Sequence, residues 1–213
     1  MATYGVLKGN VNTGSPVEIE YAFAAPLNVR SNQPAYVTDT KTLKRNTLNS
    51  GVQRWEIDAS IVPVADPYPI LRHTVVHGYT KPFYVRMPQI FRPDYAQIPD
   101  TLNFATVSEA LSKTRNVTID SPEGGATILP VGEFIRFAGH RKVYLVVDSV
   151  ANGGQNDLTI EPALIGNVGM GEQVFYGSRV SMHCLYDTSA PRGISFRDGI
   201  LVDTIATSLV EFL

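Results

Sequence analysis

The chain has 213 residues, 44% of them hydrophobic and only 18% charged. That is too apolar for a disordered protein and long enough to bury a core, as one large β domain or two small ones. The formal net charge of −2, with 18 scattered lysines and arginines, speaks against a basic groove that captures nucleic acid.

The opening Met-Ala-Thr-Tyr-Gly-Val-Leu-Lys lacks the charged start and apolar run of a signal peptide, and no apolar run is long enough to cross a bilayer. Synthesis in the cytoplasm without membrane insertion is expected. The 17 glycines and 14 prolines recur at short intervals, as in a chain of many short strands. Residues 17–23 alternate and read as a strand. So do residues 52–61, where Trp55, Ile57, Ala59 and Ile61 share one face and Arg54, Glu56, Asp58 and Ser60 the other, the pattern of a half-buried antiparallel strand. Between them, residues 43–51 form a polar stretch that suits a long hairpin arm or a loop.

One helix is expected over 66–78. Asp66 is placed to cap it, Pro67 suits its first position and Gly78 its left-handed stop; Ile70, Leu71, Thr74 and Val75 supply the apolar stripe. Residues 82–88 return to a short strand. From 89 to about 114 the prolines Pro93 and Pro99 mark a crossing segment with little regular structure, apart from a short helix at 107–112. Five short strands follow, at 117–119, 127–129, 133–137, 142–147 and 157–160, with Asn152-Gly153-Gly154 as a hairpin turn. That is the size of a small barrel, an OB-fold being one candidate and a small sandwich another. Residues 173–176 add a strand. Alternation at 179–186 and 200–213 resembles the first segment in style. Residues 1–88 and 177–213 are therefore expected to form one discontinuous domain, with a barrel inserted at 89–176.

Catalytic chemistry is poorly supplied. His73 and His77 stand four apart, a metal-ligand spacing, but Thr74 occupies the position where a zinc protease needs glutamate. They read as surface or interface histidines near a helix end. Cys184, the one cysteine, rules out an intrachain disulfide. Beside His183 in a strand it points to the opposite face, so it reads as a buried, inert thiol and not a nucleophile. The glycines at 166, 169 and 171 lack the Lys-Ser/Thr of a phosphate loop and read as a turn, as do the two glycines after Glu123. No catalytic residue, metal or cofactor is expected. Phe134, Phe137 and Tyr144, with Arg136, Arg141 and Lys142 close by, are candidates for a ligand surface on the barrel that stacks sugars or bases, with core packing as the competing explanation of these aromatics.

Taken together, Gly51-Val-Gln-Arg-Trp-Glu-Ile-Asp-Ala, Lys81-Pro-Phe-Tyr-Val-Arg-Met-Pro, the block over 129–164 and the ending at 193–213 resemble the distal tail protein family of long-tailed bacteriophages, the kind carrying an OB-fold domain. The resemblance implies a mainly β protein: a tail-tube-like β-sandwich with one helix plus an inserted small OB-like β-barrel. It implies a non-enzymatic, six-fold ring of identical subunits in the virion's tail tip or baseplate. The ring would join the tail tube protein to the hub, and DNA would pass through its channel without specific binding. Trp55 becomes a core residue of the ring-building sheet. The arm, with Leu43, Lys44, Arg45, Asn46 and Leu48, becomes a candidate contact with a neighbouring subunit or the adjacent ring. A tail tube initiator of a contractile phage, a carbohydrate-binding module acting in host attachment and, last, a hydrolase are the competing expectations.

Overall fold

The computed structural model describes residues 3–12, 16–39, 45–49, 52–63, 75, 77–78, 80–87, 102–122, 129–188, 196–197, 200–201 and 205–213. It is mainly β, with two six-stranded antiparallel sheets and two two-stranded ribbons.

The first sheet takes β1 (Thr3–Asn12), β2 (Pro16–Asn32), β5 (Arg54–Pro63), β6 (Phe83–Arg86), β13 (Ser181–Tyr186) and β16 (Ile205–Glu211). Their order is β1-β2-β5-β16-β13-β6. The outermost strands β1 and β6 lie against each other, so the sheet is curled. Alternation drives β5 as expected: Trp55, Ile57 and Ala59 are buried, while Arg54 is exposed and Glu56, Asp58 and Ser60 are half-buried. Arg30 crosses to Asp58 at 2.8 Å and Glu56 at 3.5 Å on that polar face. β2 runs well past the expected 17–23. Its pairing with β5 breaks between Ala24 and Asn28, around Pro26, which has no N–H to give the ladder.

The second sheet takes β7 (Phe104–Ala105), β8 (Asn116–Asp120), β9 (Phe134–Phe137), β10 (Tyr144–Asn152), β11 (Gln155–Glu161) and β12 (Gln173–Tyr176). The order is β7-β12-β9-β10-β11-β8. A bridge between Thr106 and Ile119, and the Val107 amide on the Thr118 carbonyl at 2.9 Å, join its two ends. The sheet is thus a closed barrel of six antiparallel strands. The β10–β11 hairpin turns at Gly153 and Gly154, with φ of 56° and 90° between the paired Asn152 and Gln155; consecutive positive φ values are what a two-residue hairpin loop of this twist requires.

The remaining strands form ribbons: β3 (Ala35–Asp39) with β4 (Arg45–Asn49), and β14 (Phe196–Arg197) with β15 (Ile200–Leu201).

Several expectations need correction or fall elsewhere. The segment at 107–112 is not helical: the Val107 and Ala110 amides bond outward to Thr118 and Val168 rather than along their own segment. β7 lies in the stretch expected to lack regular structure. Most of the expected helix lies outside the described residues, as do the strand at 127–129 except for Leu129, His73, and the turn after Glu123. Where that helix is described, Val75 is 73% exposed and His77 is buried, the reverse of the expected stripe and of the expected surface histidine. His77 Nδ1–H donates to the Lys81 carbonyl at 3.1 Å and its ring packs on Phe83. Gly78 has φ of +52°.

Two cores result. The barrel interior holds Phe104, Ile119, Ile135, Phe137, Tyr144, Val146 and Ile160. The other gathers Trp55, Ile57, Phe83, Val85, Met182, Cys184 and Leu209, and with them Phe134 and Val143. Those last two belong to the barrel's own segment. Side chains alternate across a strand, so Ile135 and Phe137 point into the barrel while Phe134 points out, onto the first sheet.

Candidate functional site

Two features stand apart from ordinary packing: the β3–β4 ribbon and the place where the barrel wall meets the first sheet.

The ribbon fills the excursion between β2 and β5, which pair up to Asn32 opposite Arg54. Gln53 Nε2 donates to Ser31 Oγ at 3.1 Å at its base. Beyond that base, among the described residues β3 and β4 pair only with each other, in the register Ala35–Asn49, Tyr36–Leu48, Val37–Thr47, Thr38–Asn46 and Asp39–Arg45. All five β3 residues are exposed. Tyr36, at 72%, and Val37, at 43%, are neighbours and so face opposite sides of the ribbon; β3 is exposed on both of its sides. A two-stranded hairpin alone is marginal in water, and its unpaired edges and apolar side chains are the usual points of attachment for another chain. Of the expected contact residues, Arg45, Asn46 and Leu48 lie in β4; Leu43 and Lys44 lie outside the described residues. Tyr36 and Val37, on the opposite strand, were not picked out by the sequence reading. Their signal was the run of strand-favouring residues Tyr36-Val37-Thr38 between Pro34 and Asp39.

At the junction, Lys142 and Glu211 form an ion pair with both side chains fully buried. The Glu211 carboxylate accepts the Trp55 amide at 3.0 Å and the Val143 amide at 2.9 Å as well as the Lys142 ammonium. Lys142 Nζ also donates to the Gln53 carbonyl at 2.9 Å, and the Trp55 indole N–H donates to the Val143 carbonyl at 2.8 Å. Phe134 meets the Trp55 ring edge-on at 5.3 Å. Burial pulls the ammonium of Lys142 below its ordinary range, opposed by the adjacent carboxylate of Glu211. Desolvating two charges is costly, and it is offset here by their pairing and by the two amides and the carbonyl that also bond them. Glu211 joins β16 to β5 and to the lead of β10 in one network.

The expected ligand surface does not form. Phe137 and Tyr144 are both fully buried inside the barrel, Phe137 packing edge-on against Tyr144 at 5.5 Å. The Tyr144 hydroxyl is committed to His140 Nδ1 at 3.0 Å and accepts the Ile165 amide at 3.3 Å. Only Arg141 is exposed. Strand alternation turns both aromatic faces into the barrel, out of reach of a stacking ligand.

The glycines before β12 hold a turn closed by the chain itself. The Glu172 carboxylate accepts the Gly139 amide at 2.7 Å and the Gly169 amide at 3.1 Å, leaving those donors no anion to bind. Cys184 is fully buried with its thiol against the Phe83 carbonyl, and burial raises its pKa well above the usual thiol range. His183 lies on the other side of the strand between Tyr84 and Phe212, with Nδ1–H donating to the Phe212 carbonyl at 2.9 Å. Among the described residues no three His, Cys, Asp or Glu side chains gather as a metal site, and no helix is long and apolar enough to cross a membrane.

No family model matches the chain, and no curated protein matches it in sequence.

Proposed function

We propose that this chain is a structural protein of a bacteriophage tail tip, a ring-forming subunit and not an enzyme. The observation that carries the reading is the β3–β4 ribbon. It leaves the body of a protein whose larger sheet is curled and whose barrel is closed, and it carries exposed apolar side chains on both faces. Closed bodies offer few strand edges, so the ribbon is the natural point of subunit contact. A ring closed by rotation needs two different complementary patches on each rigid subunit; the ribbon is one, and the body of the neighbouring copy supplies the other.

On this reading the strands at both chain ends build the ring and the barrel over 89–176 is an insertion on it. The ring sits in the virion between tail tube and hub, after assembly in the host cytoplasm. DNA passes through without specific binding, in keeping with scattered charges and a net charge of −2. The resemblance to distal tail proteins supports this. A tube initiator of a contractile tail shares every feature used here and is the second reading. A glycan-binding module loses its support, because Phe137 and Tyr144 are buried.

Negative-stain electron microscopy with sedimentation velocity tests the proposal. Rings are expected from the purified chain or on mixing with its tube or hub partner. Replacing 35–49 by a short Gly-Ser turn is expected to abolish them while the circular dichroism spectrum stays β-rich. Monomers throughout, with partners present, would sink it.

A further inference from the structure

We infer that the buried Lys142–Glu211 pair is a lock that fixes the barrel on the first sheet, so that the two cores open and fold as one cooperative unit. This does not rest on the ring reading.

Phe134 and Val143 belong to the barrel's segment yet lie in the core of the first sheet, with Leu145 and Phe175 packed against it. Apolar packing of this kind holds two bodies together but tolerates sliding, because it is non-directional. The ion pair is directional. The Glu211 carboxylate reaches one amide of β5, one amide at the lead of β10 and the Lys142 ammonium. Lys142 in turn reaches back to the Gln53 carbonyl. Any rotation of the barrel would strand a buried carboxylate and a buried ammonium together, and an uncompensated buried charge is strongly unfavourable. One orientation satisfies all of these groups.

The molecule carries its own reporter. Trp55 is the one tryptophan of the sequence, and its indole lies in this junction, bonded to the Val143 carbonyl and packed on Phe134. Fluorescence therefore reads the junction, and far-ultraviolet circular dichroism reads the strands of both bodies. In the native full-length chain, the two urea transitions are expected to coincide. In Glu211→Gln, which keeps the volume but leaves Lys142 without its counter-charge, the Trp55 emission is expected to shift red at lower urea than the loss of strand signal. The Trp55 and Val143 amides should exchange at least about tenfold faster, since a loss of 1.4 kcal/mol is a factor of ten. Arg115→Gln, which breaks only the exposed barrel pair with Glu161, should leave both signals coincident.

If Glu211→Gln fails to fold, the double variant Lys142→Met/Glu211→Leu leaves no charge unpaired and is expected to fold with separated transitions. Separated transitions in the native chain would overturn the inference. So would coincident ones in whichever variant folds, and so would a double variant that also fails to fold.

Discussion

Burial holds the imidazole of His183 below its ordinary range, with the Phe212 carbonyl opposing that shift and Arg141 and Arg136 adding to it. His77 is lowered in the same way, by burial first. In the unfolded chain both take up a proton near pH 6.5, whereas in the native chain they do so only at lower pH. Between those values the unfolded state binds more protons, so stability rises with pH. The contribution is fully present above about pH 6.5 and is lost as pH falls through the folded-state values. Urea midpoints should therefore fall from pH 7.5 to pH 5.5, and His183→Gln should flatten part of that fall; an unchanged slope in the variant would refute the assignment. Cys184 gives a second check at this scale. Its buried thiol should react with a disulfide reagent only as fast as the protein opens, so a full thiol titre at once from native protein would contradict its placement.

At the scale of elements, the β10–β11 hairpin depends on two glycines. Gly154 has φ of +90° with open space where a Cβ would stand, so Gly154→Ala meets backbone strain and no clash. A cost of about 1–2 kcal/mol is expected, seen as a thermal midpoint lowered by about 2–8 °C; an unchanged midpoint would show the turn to be adaptable. This hairpin was legible in the sequence because Asn-Gly-Gly encodes it locally, and β5 was legible because period two runs over a whole strand. β7 was not. A strand of two residues has no period, and Phe104–Ala105 is a strand only because β12 and β8 flank it. The inversion of Val75 and His77 has a similar origin, since an aliphatic side chain outranks histidine on any apolar scale until the Lys81 carbonyl is there to accept its proton. The lock is intermediate. Its partners lie 69 residues apart, so nothing local pairs them, yet Glu211 falls on the same strand phase as the buried Leu209. A charge on an inward phase was the available signal.

At the scale of the whole molecule, the placement of the two cores decides what the barrel can be. Its interior is complete: Phe104, Ile119, Phe137, Tyr144 and Val146 fill it without help from the first sheet. Its wall is incomplete. Phe134 and Val143 are buried only because Trp55 and its neighbours cover them, and burying side chains of this size contributes about 1.5–3 kcal/mol each. A fragment spanning 102–180 should therefore reach a barrel but present an apolar face whose natural cover is absent. It is expected to bind the dye ANS and to self-associate in sedimentation, as exposed apolar patches do. Lys142 would then be solvated and harmless, so the liability is the apolar wall and not the charge. Phe134→Ser with Val143→Thr should make the fragment monomeric, because both side chains face outward and the barrel's own interior is untouched. In the full-length chain the same pair of changes should destabilise, by emptying the junction around Trp55. Opposite signs in fragment and whole chain are what a shared core requires. A wild-type fragment that is monomeric and free of dye binding would mean that the barrel wall is self-sufficient, and the junction a contact between two independent domains.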